Sequence, residues 1–183
     1  YIFLDKINED LFSSDNLDNL ISYMRKEESG IRSQGILKNG VQSAGNLFAL
    51  DFSFIQSMKN ALEEKINLYK LKYKDSNQGL IQNWPKEYEL RSWMISMSKG
   101  GFLQQHNHQY GWITGSFYLS VPKSINDDNS GSISFSYEGP RYPNKNKVFS
   151  SIIKNVETRD ICIFPSSLFH KTIPFESNEE RIV

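Results

Sequence analysis

Along the 183-residue chain the spacing of apolar and polar positions changes near residue 88. Before that point apolar residues recur at helical steps. Leu17, Leu20, Ile21 and Met24 share one face of a helix predicted over about residues 15–28, with Asp15 at its start and Gly30 at its end. A longer stripe of Ile55, Met58, Leu62, Ile66 and Tyr69 predicts a second helix over about residues 53–72, expected to lie against a sheet. Ser53 and Gln56 have the spacing of a capping box at its start. Between the helices, GIRSQGILKNGVQSAGN holds four glycines and reads as turns with room for short strands.

From Tyr88 onward the pattern becomes that of strands, in YELRSWMISM, YGWITGSFYLSV, GSISFSY, DICIFP and HKTIPF. Over residues 112–121 Ile113, Phe117, Leu119 and Val121 fall on one side and Thr114, Ser116, Tyr118 and Ser120 on the other. Over 132–137 Ile133, Phe135 and Tyr137 alternate with serines. Each strand thus has a core face and a polar face able to line a cavity. PKSINDDNSG and EGPRYPNKNK read as connecting loops. Helices first and at least five short strands afterwards predict a mainly β fold, a small barrel or sandwich backed by N-terminal helices.

Composition narrows the options. Lysine and arginine number 21, as do aspartate and glutamate, so no strong charge field gathers nucleic acid or an anionic membrane surface, and neither partner is expected. A single cysteine, Cys162, excludes an intramolecular disulfide, a four-cysteine zinc site and a cysteine-ligated iron–sulfur cluster. Between Ile161 and Ile163, it reads as an inert interior thiol. Without a long apolar segment or signal peptide, the expected location is the cytoplasm. The expected organisation is one domain over 1–183, with helical support over about 1–75, a β core over about 87–183, and both termini trimmed from a longer chain.

The three histidines are His106, His108 and His170. In an extended segment His106 and His108 project from one face and can converge on one ion. His170 follows a strand-like run, from which an adjacent strand end can return a third imidazole. Such donors suit zinc, iron, nickel or copper, although an HxH pair alone is a weak signal. The polar run QQHNHQ after Lys99-Gly100-Gly101 is an odd place for a structural histidine, and the two glycines suit a sharp turn or bulge that aims the following side chains. Trp93 and Trp112, flanking this segment, read as filling the barrel or its rim.

The ordered series SWMISMSKGGFLQQHNH, GSFYLSVP, GSISFSYEGPR, DICIFPSSLFHKTIPF and Arg181 resembles the iron(II)/2-oxoglutarate-dependent oxygenases, in particular their small bacterial and phage group with an HxH motif. The resemblance implies a double-stranded β-helix, the jelly roll shared with cupins, and a dioxygenase that oxidises a small-molecule, peptide or protein substrate with iron(II), 2-oxoglutarate and O2, supported by ascorbate. It implies His106, His108 and His170 as metal ligands and catalytic residues, Arg181 as the clamp on the distal carboxylate of 2-oxoglutarate, and Tyr118 beside it. From the residues alone, Arg181 reads as a surface arginine that pairs with Glu179 or Glu180, and the family pattern turns it into the clamp. Thr114 and Ser116 share the face of Tyr118. The wider superfamily places a carboxylate where His108 stands, so Glu138, Asp127 and Asp128 are alternative donors, and Arg141 either meets an anionic substrate or pairs with Glu138. The competing readings are a cupin-like metal enzyme without 2-oxoglutarate, a non-catalytic ligand-binding jelly roll, and a structural protein docking through an apolar face near Trp84-Pro85. Oligomeric state is open, a homodimer being one option.

Overall fold

The computed structural model describes residues 1–9, 12–26, 30–123, 129–139 and 150–183. Asp127, Asp128 and Arg141 lie outside them, as do the side chains of Leu20 and Met24. The elements run β1 (Phe3–Lys6), α1 (Ser14–Lys26), β2 (Ile31–Arg32), β3 (Leu37–Ser43), α2 (Ser53–Lys72), α3 (Gly79–Gln82), β4 (Ile95–Leu103), β5 (Ile113–Phe117), β6 (Ile133–Ser136), β7 (Ile152–Lys154), β8 (Asp160–Pro165), β9 (Phe169–Thr172) and β10 (Arg181–Ile182).

The strands make two facing layers. In the first, the order β2-β3-β4-β10 continues into β5-β8-β1 through a bridge between Ser120 and Ile182. There Leu119 and Ser120 donate their N–H groups to the Ile182 carbonyl, each at 3.0 Å, and the Ile182 N–H returns to Ser120 O at 2.9 Å. The second layer is β7-β6-β9. Between the layers Tyr118, Cys162 and Phe164 meet Ile133, Phe135 and Val156, while Leu37, Ile95, Met97 and Phe175 form a second cluster. This antiparallel, two-layered arrangement is the double-stranded β-helix, with helices packed on one outer face.

The helices follow their stripes. Ile55, Met58, Ile66 and Tyr69 of α2 are buried in one cluster with Phe3, Leu119, Ile161, Ile163 and Ile182 of the first layer. Each such side chain contributes roughly 1.5–3 kcal/mol on burial. The helix begins one residue earlier than a capping box allows. Phe52 occupies the N-cap and packs on the core, so Ser53 is already helical, no side chain caps the end, and Gln56 Nε2 donates instead to Leu50 O at 3.2 Å. At α1 the cap is Ser13 rather than Asp15, its Oγ accepting the Asn16 N–H at 3.3 Å.

The N-terminal part also supplies strands. β1 pairs with β8 over Phe3↔Ile163 to Lys6↔Asp160, and β3 pairs with β4. Opposite Lys38 to Gly40 of β3, β4 spends Met97 to Phe102, a bulge that contains Lys99-Gly100-Gly101. Gly100 has φ +72°, and a Cβ on Gly101 would lie 2.7 Å from both Met97 Cβ and Ser98 O, so both positions need glycine. In β6 the alternation does not separate a core face from an open one. Ser132, Ser134 and Ser136 are buried along with Ile133 and Phe135, whereas Tyr137 is 81% exposed. β6 is central in its layer, so both of its edges are paired, and its side chains are buried on both faces. Among the described residues no helix is long and apolar enough to cross a membrane.

Candidate metal centre

β4 leaves the first layer after Gln104, whose N–H still donates to Ile36 O at 2.9 Å. The chain then enters the second layer at His106. His106 and His170 exchange both backbone hydrogen bonds, 3.0 Å from His106 N to His170 O and 2.9 Å in return, which sets their side chains next to each other. His108 N donates to Ser166 O at 2.9 Å, and Gln105 Nε2 holds Glu138 O at 2.8 Å, fixing this short extended segment at both margins.

The result is a cluster of three imidazoles on three positions and two strand ends. Ring centroids are 4.3 Å apart for His106–His170, 5.1 Å for His106–His108 and 5.2 Å for His108–His170. One ring nitrogen from each lies within 4.8 Å of the other two, close enough for a single ion to bind all three. His106 Nδ1 lies 2.8 Å from Gln104 O and His170 Nδ1 3.1 Å from Leu168 O. A neutral ring donates to such a carbonyl from Nδ1 and keeps Nε2 as a free donor for a metal. Burial is the main cause that holds all three basicities down, His108 to about 4 and His170 to about 3, with the neighbouring imidazoles adding to the effect on those two. The cluster is therefore uncharged near neutral pH. These donors fit a borderline transition ion such as iron(II), and no carboxylate joins them among the described residues. Glu138 is half-buried outside the cluster.

Phe164 packs its edge on His170 at 4.7 Å, and Tyr118 shares its cluster with Phe164. Over the Tyr118 ring, at 5.0 Å, lies the guanidinium of Arg181. Arg181 is 1% exposed, and its Nε and Nη1 have no hydrogen-bond partner. It pairs with neither nearby acid. Glu180 instead holds Arg25 and accepts from Ser96 Oγ at 3.1 Å. Burial lowers the Arg181 basicity, and Tyr118 opposes that shift. Thr114 and Ser116 are half-exposed on the inner side of β5, the side of Tyr118. Cys162 is fully buried, its thiol pushed up to about 12 mainly by desolvation.

The tryptophans sit at the margin rather than in the core. Trp93 is 37% exposed with its ring 6.0 Å from that of His108, and Trp112 is 40% exposed with Nε1 donating to Leu80 O at 3.0 Å. The Trp93–His108 contact was not legible in the sequence, because fifteen residues and a change of layer separate the two. Trp84 is half-buried against Tyr69 and Lys70, so the Trp84-Pro85 segment does not form a broad apolar face.

The family described as "Putative 2OG-Fe(II) oxygenase" matches residues 91–183, which is 93 of the 183 residues and spans the bulge, all three histidines and Arg181. The chain belongs to this family. It is accordingly an enzyme of the 2OG-Fe(II) oxygenases, with iron(II) and 2-oxoglutarate as cofactors. No curated protein matches the chain by sequence. Among solved structures, this 2OG-Fe(II) oxygenase is similar to a prolyl hydroxylase from Trichoplax adhaerens in complex with a hypoxia inducible factor peptide fragment, with TM-score 0.63 and 13% identity over 99% of this chain and 80% of that one. It is also similar to a prolyl-4-hydroxylase from Pseudomonas putida, with TM-score 0.59 and 11% identity over 99% and 88% of the two chains. A third is HygX from Streptomyces hygroscopicus with nickel and 2-oxoglutarate bound, with TM-score 0.55 and 12% identity over 99% and 79%. At these identities the likeness is one of fold.

Proposed function

We propose that His106, His108 and His170 hold the iron, that Arg181 with Tyr118 holds the distal carboxylate of 2-oxoglutarate, and that the enzyme oxidises a C–H bond of a small molecule or a peptide side chain. The observation that carries this reading is Arg181. A fully desolvated guanidinium with two unpaired nitrogens costs several kcal/mol, so a folded chain keeps it where a ligand anion completes it. It faces the interior that also holds Tyr118, Phe164 and, through Phe164, His170. A dianionic keto acid matches these two poles, one a cation and the other an uncharged metal-ligand set.

When bound, iron(II), 2-oxoglutarate and O2 supply the oxidising power, with succinate and carbon dioxide as co-products. The chain's own share is binding and orientation. The carbonyls of Gln104 and Leu168 fix the tautomers of His106 and His170. The Tyr118 ring lies under the planar Arg181 fork and holds it in place. Phe164, 1% exposed, packs on His170 and keeps bulk water from that side of the imidazole. Two of the fold neighbours are captured with a peptide fragment and with hygromycin B, so both substrate classes are compatible with the framework. Succinate formation that requires iron(II) and 2-oxoglutarate, is supported by ascorbate, and is lost in His170→Ala and Arg181→Met tests the proposal. Metal binding without any 2-oxoglutarate binding would favour the cupin-like alternative instead.

A further inference from the structure

An aromatic side chain stands beside the histidine cluster. Beside His108 the neighbouring ring is the indole of Trp93, held immediately before β4 and 37% exposed. Tyr110, two residues beyond His108, is fully exposed, and Trp112 is 40% exposed with its indole N–H tied to Leu80. Most large aromatics of the first-layer core, among them Phe3, Phe12, Phe48 and Tyr69, are buried, so three exposed rings within twenty residues, on the segment that carries two of the histidines, form a local exception. Among the described residues, the three imidazoles meet backbone carbonyls, one another, Trp93 and Phe164. The buried cation, Arg181, lies over the Tyr118 ring rather than against the imidazoles.

We infer that Trp93 is the surface on which substrate rests beside the metal centre, and that the group presented there is uncharged and apolar, an aliphatic or ring side chain. The inference rests on the metal-site reading above. An indole offers a wide, rigid apolar face at little entropic cost, and its partial exposure next to His108 leaves that face free for a ligand. Among the described residues no charged side chain contacts the imidazoles, so a carboxylate or an ammonium entering the same space would be desolvated without a counter-charge from them. The rival occupant of an aromatic surface is a cation held on the ring face, and the lysine probe discriminates it.

The probes are N-acetyl amides of leucine, proline, lysine and glutamate, titrated into protein loaded with Co(II) and 2-oxoglutarate and followed by ligand-observed NMR. The visible Co(II) band is recorded on the same samples. The leucine or proline amide is expected to bind about tenfold more tightly than the lysine and glutamate amides, the scale of burying one apolar side chain. Trp93→Ala should weaken the better apolar probe by a similar factor without changing the Co(II) band, while Trp93→Phe, which keeps a ring, retains most of the affinity. Far-UV circular dichroism verifies that both variants fold. Equal or better binding of the charged probes, unchanged binding in Trp93→Ala, or no binding by any probe to Co(II)-loaded protein overturns the inference. A missing Co(II) band in the wild type removes the metal-site reading, and this inference with it.

Discussion

The two faces of the first layer are made from the same strands and follow opposite rules. Toward the helices, Ile161, Ile163, Leu119 and Ile182 meet Ile55, Met58 and Tyr69 in a continuous apolar cluster. Toward the second layer, the alternate positions of the same strands carry Cys162, Phe164, Tyr118 and Arg181. The contrast is sharpest in β10, whose two residues put Ile182 on the helix side and Arg181 inside. One face minimises the free energy of the chain. The other keeps a buried, incompletely paired cation and three neutral imidazoles, which is expensive for a fold and useful for binding an anion and a metal.

The contrast can be broken residue by residue. The largest effect is expected at Arg181. Arg181→Met should weaken 2-oxoglutarate binding, measured by calorimetry on the metal-loaded protein, by ~2–5 kcal/mol, since it removes one partner of a buried charge pair. The same change should leave the ligand-free protein no less stable, and more stable by ~1–3 kcal/mol in urea unfolding, because it removes a desolvated charge. A stability loss without a binding loss would make Arg181 structural. On the opposite face, Ile55→Ala should cost ~2–5 kcal/mol of stability while metal affinity of the folded protein is unchanged. Gly101→Ala comes next. The added methyl meets Met97 Cβ and Ser98 O, so the bulge must shift, costing ~1–3 kcal/mol, and the histidine segment that follows it should bind Co(II) more weakly. The smallest effect is at Cys162, where iodoacetamide at pH 8 should label the native protein far more slowly than the urea-unfolded chain. Equal labelling rates would contradict its burial.

The legible part of the molecule was the part governed by local period. The α2 stripe predicts Ser53–Lys72, and the inner and outer sides of β5 follow from its alternation. Lys99-Gly100-Gly101 is the bulge that its glycines suggest. The structure also brings His106, His108 and His170 together, as the two-residue spacing and the strand before His170 allow. What escaped the sequence depends on distant partners. β1 is four residues long and becomes a strand through pairing with β8, some 155 residues away, so it carries little periodic signal of its own. Both faces of β6 are buried, Ile133 and Phe135 against the first layer and the serines with them, which alternating serines cannot reveal. The capping box does not form because Phe52, packed on the core, takes the N-cap and leaves Ser53 inside the helix. Arg181 reads locally as a surface arginine beside Glu179 and Glu180. Strand alternation in a two-residue strand turned it inward.

The measurement closest to the central claim is a crystal structure of the protein loaded with a transition metal and 2-oxoglutarate, with anomalous data collected at the metal edge. The account predicts one peak at about 2.1 Å from a nitrogen of each of His106, His108 and His170. It also predicts the distal carboxylate of 2-oxoglutarate at hydrogen-bond distance from the Arg181 guanidinium. A metal bound by two histidines with a carboxylate, or a keto acid that leaves Arg181 unpaired, would contradict it.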